Sequence, residues 1–157
     1  MKDTAIFDTA VFDTVGARLN AAGEAGMWIR PGGVDALAGL KGAYVLLIRL
    51  DRAVTASAGR STPGTLPAGT YFYAGSAHGA GGLAARLKRH FRQDKKIHWH
   101  IDRLTVQASS LAAFAVTGGN ECRLAALLLD SGDFEIALPG FGSTDCRACA
   151  SHLLKLR

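Results

Sequence analysis

The stretch GTYFYAGSAHGAGGLAARLKRHFR, residues 69–92, sets the pattern of the fold. Residues 69–77 alternate aromatic and small side chains, which is typical of a β-strand. The glycines between 75 and 82 end that strand and open a helix over about 82–93. Leu83, Leu87 and Phe91 recur at four-residue spacing and form the apolar stripe of the helix. The stretch therefore predicts a strand, a glycine-rich turn and an amphipathic helix.

Further strands and helices are predicted on both sides of this stretch. GAYVLLIRLD, residues 42–51, is a short β-rich apolar run and predicts a buried strand antiparallel to 69–77. Proline and glycine in 53–68 indicate a loop or an irregular hairpin arm. The later elements are a third strand at residues 111–117, a helix ended by glycine at 121–132, and a short helix in the tail, FGSTDCRACASHLLKL, residues 141–156. The order predicts an α/β (α+β) fold, with a small, mostly antiparallel three-stranded sheet flanked by helices.

Two regions are expected along the chain. Residues 1–40 are rich in Gly and Ala and predict an N-terminal extension with one short helix in VGARLNAAGEA, residues 15–25. This extension either packs on the domain or is partly mobile. Residues 41–157 form the predicted compact domain, which is large enough to bury a single core.

Composition limits the class of protein and its compartment. The chain has 157 residues, of which 48% are hydrophobic and 20% charged, as in ordinary globular proteins. Its three cysteines do not suggest a disulfide framework. Asp3, Asp8 and Asp13 interrupt the N-terminus, so no secretory signal is expected. The apolar runs are too short to span a bilayer, and we expect a cytoplasmic protein without a membrane partner.

Positive charge is concentrated in one segment. The net charge is +5, and RLKRHFRQDKK, residues 86–96, holds six Lys or Arg against one acid. Such clustering is typical of proteins that bind a phosphate backbone, although many proteins carry a basic face without a polyanion partner. The predicted nucleic-acid-binding residues are Lys88, Arg89, Arg92, Lys95, Lys96, His98 and His100. In HWHID, residues 98–102, Trp99 and Ile101 are expected in the core, with the histidines at the rim of a groove.

Several spaced motifs resemble a known superfamily. GAY at 42–44 and YAG at 73–75 are followed by Arg86 and His90 on the predicted helix. This combination resembles the GIY-YIG nuclease superfamily, in which the two tripeptides lie on neighbouring strands. The block YFYAGSAHGAGGLAARLKRHFRQDKKIHWHIDRL is similar to one small branch also found fused to endonuclease III-type proteins. ECRLA and GFGSTDCRACASHL resemble the later motifs of this branch, so the resemblance covers residues 41–157.

The resemblance implies roles for particular residues. Tyr44 and Tyr73 become the two site tyrosines, Arg86 binds phosphate, and Glu121 binds one Mg²⁺ or Mn²⁺ ion. His90 lies one helical turn after Arg86, where it could orient water or contact phosphate. A tyrosine with a lowered pKa could take the proton of the attacking water. The implied activity is metal-dependent endonucleolytic hydrolysis of phosphodiester bonds, with DNA as the expected partner.

Some features keep other functions open. The segment between GAY and YAG is longer than the short hairpin usual in the nucleases, and Ala replaces Ile in both tripeptides. Glu121 also suits the first turn of a helix without any metal, because an acid there interacts favourably with the helix dipole. The alternative is a non-catalytic DNA- or RNA-binding accessory domain of DNA repair or processing.

A zinc site is a further hypothesis. Cys146, Cys149 and His152 form C-x-x-C-x-x-H, and paired cysteines are common zinc half-sites. The remaining donors would come from His98, His100 or Cys122, at no diagnostic spacing. In the other interpretation the cysteines are small buried residues of a reduced protein.

Overall fold

The computed structural model describes residues 9–57, 63–142 and 148–157. Four α-helices lie within this part of the chain: α1 (Thr9–Ala21), α2 (Gly82–Phe91), α3 (Asp102–Thr105) and α4 (Glu121–Asp130). A short 3₁₀ helix spans Val34–Leu37. Helix α2 begins where Gly81 and Gly82 adopt positive φ angles of 81° and 60°. Glycine enters this region at little steric cost, which explains the sharp turn from strand to helix.

The main sheet is antiparallel and has six strands. Its members are β1 (Met27–Ile29), β2 (Gly42–Leu50), β5 (Gly69–Ala77), β6 (Ser110–Thr117), β7 (Phe134–Ile136) and β8 (Leu153–Leu156). They lie in the order β1-β6-β2-β5-β8-β7, and every neighbouring pair is antiparallel. The predicted class, a mostly antiparallel sheet flanked by helices, is confirmed. The predicted strands β2, β5 and β6 form its centre, and β1, β7 and β8 enlarge it.

In the described residues 148–157, the prediction of a helix in the tail was wrong, and residues 143–147 lie outside the described part of the chain. Residues 153–156 form strand β8, which pairs with β5 on one side and β7 on the other. Leu153 packs in the core on one face of the sheet and Leu154 in the core on the opposite face. Such alternation is strand periodicity, and pairing with β5 satisfies backbone groups that would otherwise lie at an open sheet edge.

Two apolar cores cover the two faces of the sheet. Helix α2 buries Leu83 and Leu87 on the face that also carries Tyr44. Helices α1 and α4 cover the opposite face through residues such as Leu19 and Leu124. Strand β2 is buried on both faces, which accounts for its nearly continuous apolar sequence.

The N-terminal region contributes directly to this architecture. The helix in this region, α1, covers Thr9–Ala21 and overlaps the predicted segment 15–25 only over residues 15–21. It packs on the same face as α4. Strand β1 pairs with β6 and forms one edge of the sheet, with Trp28 opposite Phe114. The described residues before Leu40 therefore pack on the domain.

The segment between β2 and β5 forms a separate arm. Strands β3 (Val54–Ala56) and β4 (Gly64–Leu66) pair antiparallel, which agrees with the hairpin arm that was one of the two predictions for 53–68. Residues 58–62 of this segment lie outside the described part of the chain. Val54, Ala56 and Leu66 bury their side chains in the core beside α2. In the described part of the chain, no helix combines the length and apolar character needed to cross a membrane.

Candidate active site

The two motif tyrosines lie on one face of the sheet. In the pairing of β2 with β5, Tyr44 is opposite Gly75, and Leu46 is opposite Tyr73. Tyr44 and Tyr73 are therefore diagonal neighbours on the face covered by α2. A Cβ atom at position 75 would overlap the hydroxyl end of Tyr44. The glycine of YAG thus leaves the space that the tyrosine of GAY occupies.

Tyr44 forms a hydrogen bond with a histidine of α2. Its hydroxyl oxygen lies 2.6 Å from Nε2 of His90, and the two residues are only 2% and 1% exposed. Burial, followed by the charges of Lys95 and Arg86, lowers the pKa of His90 to about 3. A neutral imidazole has one nitrogen that accepts and one that donates. Nε2 can therefore accept the Tyr44 proton, while Nδ1 has no hydrogen-bond partner among the described residues.

The expectation of a tyrosine with a lowered pKa was wrong. Burial raises the pKa of Tyr44 well above its usual value, and it also raises the pKa of Tyr73. The positive charge of Arg86 opposes this shift at both residues but does not outweigh it. Both tyrosines are therefore neutral hydroxyl groups at neutral pH, because a phenolate loses more hydration energy on burial than a phenol does.

Arg86 lies one turn before His90 on α2 and is held by an aromatic ring. Its guanidinium carbon is 4.4 Å from the centre of the Trp99 ring, within the range of cation–π contacts. Arg89 approaches the same ring at 4.5 Å. Trp99 thus serves as a flat support that orients Arg86 toward the groove that it lines.

Glu121 completes the group. It is the first residue of α4, and the preceding Asn120 caps this helix by accepting a hydrogen bond of 3.0 Å from the Arg123 N–H. Glu121 lines one groove together with Tyr44, Tyr73 and Arg86. A neighbouring pocket shares Tyr44, Tyr73, Arg86 and Gly142, and adds His90, His98 and His100. The five residues Tyr44, Tyr73, Arg86, His90 and Glu121 therefore line two adjoining pockets, which together form the groove.

Two of the predicted nucleic-acid-binding residues point inward. Arg89 donates a 2.6 Å hydrogen bond to the fully buried carboxylate of Asp102. Lys95 is only 3% exposed at its side chain and lies 3.7 Å from the same carboxylate. Its ammonium group also donates to the carbonyl oxygens of Arg89 and His90, at the end of α2. Arg89 and Lys95 therefore hold α2 and the HWHID segment together, and neither presents its charge freely to solvent.

The other predicted basic residues remain on the surface. Lys88, Arg92 and Lys96 are exposed, and Arg92 lies 3.6 Å from the exposed carboxylate of Asp94. His98 and His100 are exposed at the border of the groove, as expected. Ile101 is buried, whereas Trp99 is only partly buried, since its ring supports Arg86.

Asp102 is the organising residue that the sequence did not reveal. Its carboxylate accepts 2.9 Å hydrogen bonds from the backbone N–H groups of His98 and Trp99, besides the bond from Arg89. Burial raises its pKa, but these backbone donors and Arg89 outweigh burial, so the pKa of Asp102 is lowered. The only signal in the sequence is the spacing: Asp102 follows His98 by four residues and Trp99 by three, so its side chain can reach their N–H groups.

Three further donor groups cluster beside Glu121. The ligand atoms of Cys122, Cys149 and His152 all lie within 4.8 Å of one another, and Cys122 Sγ is 3.6 Å from His152 Nε2. Burial lowers the pKa of His152 against the opposing charge of Glu121, so its imidazole is a neutral donor. These three residues could hold a metal ion. Cys146 lies outside the described residues, and His98 and His100 are not part of the cluster.

The chain belongs to the family described as Domain of unknown function DUF123, whose model matches residues 43–157. This range begins in β2, contains both tyrosines of the groove and extends to the end of β8. No curated protein and no solved structure matches the sequence.

Proposed function

We propose that this member of the DUF123 family binds nucleic acid and hydrolyses phosphodiester bonds with one Mg²⁺ or Mn²⁺ ion. One observation carries the proposal: Tyr44, which is hydrogen-bonded to the buried His90, lines a groove that Arg86 and Glu121 also line. A proton-transfer pair, a fixed cation and a carboxylate are the groups that phosphodiester hydrolysis requires. The resemblance to the GIY-YIG nucleases adds support, since it implies the same residues.

Tyr44 and His90 would manage the proton of the attacking water. Tyr44 is neutral, so it can take up that proton only as its own proton moves to another acceptor. His90 Nε2 lies 2.6 Å away and has a lone pair for this transfer. A negatively charged phosphodiester in the groove would favour the protonated imidazole, whose pKa is low in its absence. The pair would thus pass a proton without forming an isolated phenolate.

Arg86 would bind the substrate. Its guanidinium can donate two parallel hydrogen bonds to the nonbridging oxygens of a phosphate, a geometry that lysine does not provide. The contact with Trp99 restricts its orientation, so less conformational entropy is lost on binding. Tyr73, beside it in the groove, is a second hydroxyl group that can contact the same phosphate.

The residues of the groove fit a hard divalent ion. Glu121 is the acidic residue among the described residues that line it, and Mg²⁺ is commonly held by one carboxylate with water and phosphate oxygens as its other ligands. A bound ion would stabilise negative charge on the leaving oxygen. The sulfur and imidazole donors of the neighbouring cysteine–histidine cluster suit a softer metal, so we place Mg²⁺ or Mn²⁺ at Glu121.

The test is a cleavage screen on branched, nicked, double-stranded and single-stranded DNA and on RNA, with Mg²⁺, Mn²⁺ or chelator. We expect metal-dependent cleavage that Tyr73→Phe, Arg86→Ala and Glu121→Ala each reduce by about 100-fold or more. Glu135→Ala is the matched control, because Glu135, on β7, is paired with Lys155 of β8 and is not among the residues that line the groove. Absence of cleavage above the level of the three variants on every substrate would refute the enzymatic part.

The second candidate function is binding without catalysis, as an accessory domain of DNA repair or processing. The raised pKa values of Tyr44 and Tyr73 favour it, because neither residue is a ready base at neutral pH. It predicts salt-dependent retention on DNA or RNA that chelator and Glu121→Ala leave unchanged. Under either function we propose a cytoplasmic protein with DNA as its partner.

A further inference from the structure

We propose that Cys122, Cys149 and His152 form a zinc-binding site next to the Mg²⁺ or Mn²⁺ position, with a different set of ligands. His152 also lines the groove that contains Glu121. Two sulfurs and one imidazole nitrogen, all within 4.8 Å of one another, are the donor types that Zn²⁺ prefers. Cys122 and Cys149 are partly buried and His152 is buried, so water has limited access to the donors. These three ligands leave a fourth position for a water molecule or another donor.

The distance between Cys122 and His152 matches tetrahedral zinc coordination closely. Zn–S and Zn–N bonds of about 2.3 and 2.0 Å, at a tetrahedral angle, place the two ligand atoms about 3.5 Å apart. The Cys122 Sγ to His152 Nε2 distance is 3.6 Å. Two zinc-bound sulfurs lie about 3.8 Å apart. The outer limit of 4.8 Å therefore requires a side-chain adjustment of at most about 1 Å between the two sulfurs and about 1.3 Å between the Cys149 sulfur and the His152 nitrogen.

Backbone hydrogen bonds hold the histidine ligand in place before any metal binds. The His152 N–H donates to the Phe141 carbonyl at 2.8 Å, and the His152 carbonyl accepts from the Ala74 N–H at 3.0 Å. The Gly140 N–H donates to the carbonyl of Ala150, the residue after Cys149, at 2.7 Å. Cys122 lies on α4, the helix that Asn120 caps. The backbones of Cys122 and His152 are therefore held by hydrogen bonds before any metal binds.

A zinc ion would join the start of α4 to the chain that enters β8. These parts are distant in sequence, and a bond network through a metal restricts their relative movement. Cys122 directly follows Glu121, so the same ion would fix the position of the groove carboxylate. That last consequence rests on the proposed function, whereas zinc binding itself does not.

The experiment measures metal directly, in protein purified without a polyhistidine tag and without added zinc. We expect about one zinc ion per chain by elemental analysis. After removal of the metal, a Co²⁺ titration should give a thiolate-to-cobalt charge-transfer band and the intense visible bands of tetrahedral Co²⁺. These measurements use the unaltered chain, so they hold even if a variant fails to fold.

Variants then assign the ligands. Cys122→Ser, Cys149→Ser and His152→Gln should each weaken zinc retention against a chelator by about tenfold or more. His98→Gln is the matched control, since His98 is exposed and outside the cluster, and it should retain zinc as the unaltered chain does.

Three results would overturn the site: unaltered chain without zinc and without a thiolate–cobalt band, a disulfide between the cluster cysteines, or equal zinc retention by all variants. Zinc binding without any nucleic-acid cleavage would uphold the site and refute the nuclease. Cleavage by a chain that binds no zinc would refute the zinc site and support the nuclease.

Discussion

The Tyr44 hydroxyl oxygen lies 2.6 Å from His90 Nε2, and this bond joins the central strand β2 to helix α2 in the interior of the protein. Lys95 closes the end of the same helix by donating to the His90 carbonyl oxygen. The side chain and the backbone of His90 are thus both held, which leaves its ring little freedom to rotate. A proton-transfer pair benefits from such fixed geometry, because no reorganisation precedes the reaction.

Removal of the Tyr44 hydroxyl should impair both stability and cleavage. Tyr44→Phe leaves the buried His90 Nε2 without its partner, so we expect a loss of about 1–3 kcal/mol in the free energy of unfolding. Cleavage should fall by about 100-fold or more. Tyr71→Phe is the control, since Tyr71 also donates one hydrogen bond, to the Pro67 carbonyl, but is not among the residues that line the groove. Urea unfolding and a cleavage assay measure the two effects, and equal activity of both variants would exclude Tyr44 from catalysis.

The glycine opposite Tyr44 should be equally sensitive to substitution. Gly75→Ala places a methyl group where the end of the Tyr44 side chain lies, so we expect the ring to move and stability to fall by about 1–3 kcal/mol. Gly79→Ala is the control, because a Cβ there meets no described atom within 4 Å. Its stability should change by less than about 0.5 kcal/mol. Full stability and activity in Gly75→Ala would contradict the close packing of GAY against YAG.

The central elements could be predicted because their sequences are strongly patterned. Strand β2 is apolar and bounded by glycine and a polar turn, and α2 carries Leu83 and Leu87 at helical spacing. His90 borders that stripe, so its inward direction could be predicted as well. By contrast, β1 and β7 have three residues each and β8 has four. Such short runs carry little periodicity, and they become strands because neighbouring edges offer hydrogen bonds.

The site could be predicted only as far as residue identity allows. The five groove residues follow from motifs, but whether a tyrosine pKa rises or falls depends on burial, which the motif does not contain. The structural role of Asp102 could not be predicted, because its carboxylate interacts with four groups that come together only after folding. Cys122 and His152 are far apart in sequence, and His152 directly precedes strand β8, which was predicted to be a helix.

Stability should depend on pH through His90. Its pKa is about 3 when folded and 6.5 when unfolded, so between these values the unfolded chain binds more protons. The contribution of neutral His90 to the free energy of unfolding is therefore complete above about pH 6.5 and is lost as the pH falls toward 3. Between about pH 7.5 and about pH 5 we expect His90 to account for about 2 kcal/mol of lost stability.

The measurement for His90 is the difference between the unaltered chain and His90→Gln in urea unfolding across that range. Burial lowers the pKa of His152 as well, but His152 is present in both chains, so its contribution cancels. Asp102 has a lowered carboxyl pKa, and its contribution is lost only at lower pH. Parallel stability curves for the two chains would show that His90 is not buried in its neutral form.

The buried carboxylate of Asp102 should be essential for the fold around Trp99. Asp102→Asn leaves Arg89 and Lys95 without their counter-charge, so we expect a loss of about 3 kcal/mol. Asp94→Asn is the matched control, since its pair with Arg92 is exposed, and it should cost less than about 0.5 kcal/mol. Thermal or urea unfolding measures both changes, and Trp fluorescence reports on the ring environment. Similar stabilities for the two variants would refute the organising role of Asp102.

Nucleic-acid binding should depend on the basic residues that remain exposed on and just after α2. Lys88→Ala with Lys96→Ala removes two such charges, and removal of each phosphate-binding charge should reduce the slope of log K against log salt by about 0.9. We therefore expect a slope about 1.8 smaller and weaker binding at low salt.

The control for this face removes the same number of charges elsewhere. Arg18 and Lys155 are paired with Asp133 and Glu135, so Arg18→Ala with Lys155→Ala should leave the slope unchanged. Fluorescence anisotropy with a labelled duplex over a salt series measures both pairs. Equal slopes in the two double variants would show that binding depends on overall charge, and the surface around α2 would no longer be distinguished from the rest of the protein. A smaller slope in the first pair alone would assign phosphate binding to the surface beside the Arg86 groove, because Lys88 lies on the same helix as Arg86.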